Sequence, residues 1–202
     1  MKTLSSFILC VFIATAAGAL ELDRAATAMA GQQAAFTHLF TPKGFRKPQT
    51  ESGTVTFGRL PMMRWSYTKP ESKLFVFDGT KSWFYIPADK QVTVGVVDDA
   101  RKRELPFLLL GDTAARDRHF AVKETTRGNK VLTTLAAKDS RALVRSVTVS
   151  IDARTHLISG IDYTDRDGNK TSFVFSGYHA QPASADTFRF NPPAGVQVIN
   201  AE

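Results

Sequence analysis

GTVTFGRLPMMRWSYTKPESKLFVFDGTKSWFYIP, residues 53–87, decides the fold. Val55, Phe57, Arg59, Pro61, Met63, Trp65 and Tyr67 fall on alternate positions, and an uninterrupted strand sets alternate positions on one face. Pro61 cannot donate to a ladder, so the run should be interrupted there. Lys69-Pro70-Glu71-Ser72 reads as a turn. Leu74 to Phe77 follows, apolar on both faces, and Asp78-Gly79 is a strong hairpin signal. Trp83 to Ile86 is a second doubly apolar strand, ended by Pro87. Strands apolar on both faces need cover on both. The stretch holds both tryptophans of the chain and more apolar surface than a half-solvated sheet requires.

Outward from this stretch the same period continues. Gln91 to Val97 alternates, with Val92, Val94 and Val96 on one side. Phe120–Glu124, Val131–Ala136, Leu143–Ile151, Leu157–Thr164 and Thr171–Tyr178 are separated by turn residues. That is about ten strands with short connections, a meandering antiparallel sheet. Residues 98–118 break the pattern, with charges at both ends around an apolar centre, Leu105 to Leu110. They suit one or two short helices, and long excursions inside compact domains are usually lids or binding loops. On the N-terminal side, Leu22, Ala25, Ala26, Met29, Gln33, Phe36 and Phe40 recur at helical spacing, which predicts one helix over 20–40, ended by Pro42 and Gly44. Its apolar face is slim and alanine-rich, which suits a helix lying on a surface.

The chain has 202 residues. Lys2, the apolar run Phe7 to Ala14 and the small residues Ala17-Gly18-Ala19 read as a cleaved secretory signal over 1–19. The only cysteine, Cys10, falls inside it, after a leucine that rules against lipidation, so residues 20–202 form one domain without disulfides. Export and scattered charges argue against a nucleic-acid partner, although Lys43, Arg46 and Lys47 form a small basic group, and Arg101 to Arg103 another.

Reaction chemistry is not apparent. His38, His119, His156 and His179 do not share metal-ligand spacing, so neither a metal nor a cofactor is expected. No serine sits in a G-x-S-x-G elbow. Asp165 to Asn169 departs from a calcium loop, with glycine at position four and Ser176 at position twelve, and reads as a hairpin turn. Without catalytic groups, with surplus apolar surface and an apolar-centred lid, the chain is expected to bind an apolar ligand rather than act as an enzyme.

Particular residues carry a resemblance. Gly53, Arg59, Trp65, Asp78-Gly79 and Trp83-Phe84-Tyr85-Ile86-Pro87, with Gln91-Val92 after them, resemble the LolA family of periplasmic carriers of outer-membrane lipoproteins. Pro106-Phe107-Leu108-Leu109 resembles the family's lid segment, and Phe188 to Val196 its F-x-F-x-P-P-x-G-V ending. Phe36-Thr37 matches too, with His38 where the family usually has glutamine. One departure is Leu60, between Arg59 and Pro61. The resemblance implies a mainly β fold with an α lid. In detail it is an incomplete antiparallel β-barrel of about ten to eleven strands, covered by an N-terminal helix and short lid helices.

It further implies a monomer in the periplasm that takes a lipoprotein from an inner-membrane ABC transporter of LolCDE type and delivers it to an outer-membrane receptor of LolB type. The family's matching arginine bonds to the lid and keeps the empty form closed, a latch role carried to Arg59. Acyl chains would lie among Met29, Phe36, Val55, Phe57, Met63, Trp65, Tyr67, Phe75, Phe77, Trp83, Phe107, Leu108 and Leu109. A lipid-sensing envelope regulatory module, or a carrier of another amphiphile such as a glycolipid or polyketide, is the alternative.

Overall fold

The computed structural model describes residues 20–98, 102 and 105–201. The expected secretory signal, and part of the basic group at 101–103, lie outside them. Twelve strands form one curled sheet. In chain order they are β1 (Gln32–Thr41), β2 (Gln49–Phe57), β3 (Met63–Lys69), β4 (Lys73–Phe77), β5 (Lys81–Ile86), β6 (Gln91–Val96), β7 (Phe120–Arg127), β8 (Lys130–Ala137), β9 (Val144–Asp152), β10 (Ile158–Asp165), β11 (Lys170–Ala180) and β12 (Gln197–Asn200). Their spatial order is β12-β6-β5-β4-β3-β2-β1-β11-β10-β9-β8-β7. Neighbours are antiparallel except β12, which lies parallel to β6. The two edges, β12 and β7, do not pair, so the sheet is an open, incomplete barrel. Helix α1 (Glu21–Ala28), a 3-10 turn at Pro106–Leu109 and helix α2 (Thr113–His119) cover its concave face.

The expected helix over 20–40 is corrected. Helix α1 ends at Ala28, and Gln32–Thr41 is a central strand paired with β2 and β11. Met29, Phe36 and Phe40 fit a helical period, but Ala34, Phe36, His38 and Phe40 fit a period of two equally well. The aromatic and threonine content of AFTHLFT favours a pleated surface. Nor does α1 lie on a surface. Leu22, Ala25 and Met29 are fully buried among β8 and β9 residues such as Leu135, Val147 and Val149. Leu20, the N-cap of α1, offers no side-chain bond. Glu124 of β7 replaces it, accepting from the backbone N–H of Glu21 and Leu22 at 3.0 and 3.1 Å and from the Thr133 hydroxyl at 2.8 Å. A carboxylate there satisfies orphan N–H groups and complements the helix dipole.

Strands β2 to β6 follow the expected order, and β2 and β3 part around Pro61. Register fixes the two faces. Val55 pairs with Trp65, Trp65 with Phe75 and Phe75 with Phe84, all on the concave face. Gly53, beside a register shift, needs its missing side chain, because a Cβ there would stand 1.9 Å from the Ser66 carbonyl oxygen. Val76, Trp83 and Val94 align on the convex face. The C-terminal segment covers that face. Phe188 is buried, Phe190 packs on Tyr85 at 5.1 Å, and Arg64 donates to the carbonyls of Thr187 and Arg189. The double apolarity of β4 and β5 thus has two partners, the lid inside and the tail outside.

Candidate functional site

The concave face gathers aromatics in layers. Phe36 of β1 meets Trp65 at 5.0 Å and Tyr67 at 4.7 Å, both edge to face. Phe173 of β11 stands between Trp65, at 5.4 Å, and His38, whose ring stacks on it at 4.3 Å. Above them the lid lowers one side chain. Phe107 packs edge to face on Trp65 at 5.0 Å and on Phe173 at 4.8 Å. Leu108 and Leu109 beside it are fully buried.

A cavity of about 180 Å³ remains among His38, Trp65, Tyr67, Phe75, Tyr163 and the lid residues Leu105, Phe107 and Leu108. Ligand pockets usually hold roughly 300–1,000 Å³. The site is therefore an apolar chamber largely filled by its own lid, and a long chain enters only if Phe107 leaves.

Among the described residues none that lines the chamber is charged. Burial raises the Tyr67 phenol far above its ordinary value, and the Glu51 charge adds to this; burial likewise raises Tyr163. Burial lowers the His38 pKa below its ordinary 6.5, outweighing the opposing hydrogen bond and charge of Glu51. His38 is thus neutral at neutral pH. Charges stop at the rim, where Glu51 accepts from Lys73 and contacts His38 Nδ1 at 3.2 Å.

Of the residues expected to line an acyl cavity, Trp65, Tyr67, Phe75, Phe77, Phe107 and Leu108 surround it. Met29, Phe36, Val55, Phe57, Met63 and Leu109 form the packed floor around it. Trp83 is corrected: it faces away, aligned with Val76 and Val94 on the convex side, because β5 is apolar on both faces and alternation could not tell them apart. His38, Leu105, Tyr163 and Phe173 were missed as lining residues. The i, i+2 pair Phe173 and Phe175 in 171–178 carried that signal.

Arg59 is exposed, between buried Gly58 and Leu60, and its side chain makes no hydrogen bond to a described residue. It borders a cleft between α1 and the lid, with Asp23, Leu110, Gly111 and Thr113. The lid touches this loop through Leu60: a Cβ on Gly111 would meet Leu60 Cβ at 2.5 Å. A second hold was not foreseen. Asp23 of α1 accepts from Arg116 Nη1 at 2.8 Å and from the Thr113 hydroxyl at 3.1 Å, both on α2. Arg116 is completely buried, and its Nη2 has no partner among the described residues.

An open half-barrel whose aromatic chamber is stoppered by a lid defines the class: a β-sheet carrier for an apolar ligand. Residues 27–191 match the family model described as outer membrane lipoprotein carrier protein LolA. The chain is 31% identical over 183 residues to an outer-membrane lipoprotein carrier protein of Xanthomonas axonopodis pv. citri, covering 89% of this chain and 86% of that one. It is 31% identical over 202 residues to the protein so named in Vibrio parahaemolyticus, covering 98% and 94%. Among solved structures, an uncharacterized conserved protein of Thermus thermophilus shares the fold, with a TM-score of 0.55 and 13% identity over 90% of this chain and 97% of that one. The chain belongs to the LolA family.

Proposed function

We propose that the protein is a periplasmic carrier that shields the acyl chains of lipoproteins in transit to the outer membrane. The observation that supports this best is the stopper itself, Phe107 seated against Trp65 and Phe173 in an aromatic-lined chamber. Each buried methylene gains about 0.8 kcal/mol, so one chain of about fifteen methylenes represents roughly 12 kcal/mol gross. Displacing the stopper and breaking the lid contacts offsets part of that gain. The offset keeps onward transfer feasible, and non-directional apolar contacts suit a ligand that must also leave.

In this reading the chain is exported through its signal and acts as a monomer. It accepts cargo from an inner-membrane ABC transporter of LolCDE type and delivers it to a receptor of LolB type. Asp23, Arg116 and Thr113 hold α2 against α1 in the empty form. Arg59, beside Leu110 and Gly111 in the cleft at the lid edge, acts in this reading when the lid moves during transfer, rather than as a hydrogen-bonded latch of the closed form.

Mass spectrometry of ligand released from the purified protein, with binding of a fluorescent apolar probe, tests the carrier role. Diacylated or triacylated lipoprotein is the expected ligand. Absence of both ligand and probe binding would overturn the reading. Arg59→Leu is expected to load normally but to pass cargo on poorly in a reconstituted transfer assay, and unimpaired transfer would remove Arg59 from the mechanism.

A further inference from the structure

Three loops at one end of the sheet are joined into a platform. The β1–β2 loop, residues 42–48, is tied to the β10–β11 turn by Lys43 N–H donating to Asn169 Oδ1 at 3.0 Å. That turn is tied to the β8–β9 loop, residues 138–143, by Arg166 N–H donating to the Leu143 carbonyl at 2.6 Å. Within 42–48, 138–143 and 166–169 stand Lys43, Arg46, Lys47, Lys138, Arg141 and Arg166, against Asp139 and Asp167 only. A cleft of about 700 Å³ between the last two loops is lined by Lys138, Arg141 and Arg166 together with Asp139, which pairs with Arg141 at 3.4 Å, and has room for a lipid headgroup.

Two large apolar side chains project from the same platform. Phe45 is 70% exposed and Leu143 39%. Phe45 is not on a slack loop. Its own N–H donates to the Pro42 carbonyl at 3.0 Å, and the neighbouring Lys43 side chain lies against Gly168. An aromatic ring held out into water among cations is left without cover by the described residues. Apolar tips flanked by Lys and Arg are the combination that an anionic membrane interface takes up, the cations meeting headgroups and the rings entering the acyl boundary. The chamber residues His38, Tyr67 and Tyr163 each lie within three residues of this end of their strands, so the platform borders the chamber.

We infer that this platform docks the protein directly onto a bilayer bearing anionic phospholipid, with Phe45 as its penetrating residue. The inference concerns the empty protein and stands apart from the identity of the cargo. It gives the carrier a way to meet a membrane without a receptor between them.

Flotation of the purified, ligand-free protein with vesicles tests it. The protein is expected to float with vesicles of phosphatidylglycerol and phosphatidylethanolamine, not with phosphatidylcholine alone, and to be released as salt shortens the Debye length. Phe45→Ser is expected to weaken partitioning about tenfold. Removing Arg46 and Lys47 as serines is expected to weaken it about fivefold per charge. Both sites are exposed, and unchanged melting temperature and probe binding would show each variant folded with its chamber intact. Failure of the wild type to float with anionic vesicles at low salt would overturn the inference, as would variants that float like the wild type. If the protein instead binds polyglutamate without floating, the platform belongs to an acidic protein partner and the lipid assignment is wrong. Loss of probe binding with flotation retained would count against the carrier reading alone.

Discussion

His38 is the histidine of the chamber wall, and its surroundings give the protein a pH signature. Burial holds its pKa below 6.5 in the folded state. The unfolded chain therefore takes up a proton near that pH which the folded chain refuses until a lower pH. Stability should fall as pH drops from about 6.5 and level off once His38 protonates within the fold. Glu51 acts further down: burial would raise its pKa, but the Lys73 hydrogen bond and charge prevail and lower it below 4.5, so its contribution is lost only under more acid conditions. Urea unfolding across this range, wild type against His38→Gln, should show a shallower slope below pH 6.5 in the variant. Parallel curves would remove His38 as the source.

At the scale of elements, closure depends on how α2 meets α1. Arg116 is fully buried and Asp23 partly so, and the two partners are not equivalent. Asp23→Ala would leave a buried cation without its main acceptor, and the loss should be about 3 kcal/mol, the lower end for breaking a buried pair because Asp23 keeps some solvent contact. Arg116→Met removes the charge but fills most of the volume, so the change in stability should be small. Chemical denaturation of the two variants separates them, and equal losses would mean that packing rather than charge holds α2. The lid has a second point of contact. Gly111→Ala forces a methyl group against the Leu60 backbone and should raise the rate of apolar-probe uptake, read by stopped-flow fluorescence, by loosening the closed lid.

Over the whole molecule, the sheet was legible where one period dominated. Residues 53–87 read as strands because Val55, Phe57, Met63, Trp65 and Tyr67 alternate and because Pro61 and Asp78-Gly79 punctuate them. Residues 32–41 did not, since Phe36 and Phe40 satisfy both helical and extended spacing, and the β-favouring composition of AFTHLFT was outweighed by the helical period running in from Leu22 to Met29. Trp83 failed for a different reason: its strand is apolar on both faces, and its direction is set by a pairing register with Val76 and Val94 that alternation alone does not reveal. The Asp23–Arg116 pair, separated by 93 positions, is a tertiary fact without a local signal. The tail also carries a prediction. Phe188 seals the convex face over Gly58, and Phe188→Ala should cost about 3 kcal/mol, as large buried aromatics do, without altering probe binding on the other side of the sheet. Thermal unfolding and probe titration together would test it.

The pairing of β1 with β11 sets Phe36 opposite Phe175, so the middle of the sheet joins the two ends of the domain. Such a contact closes a very long loop before it is rewarded, and folds dominated by such pairings form in milliseconds to seconds rather than microseconds. As the chain is made N-terminus first, β1 emerges early with only β2 to pair with on one side. It must wait for nearly the whole polypeptide before its other edge is filled. Closure therefore comes late, and the central strand is the last joint made.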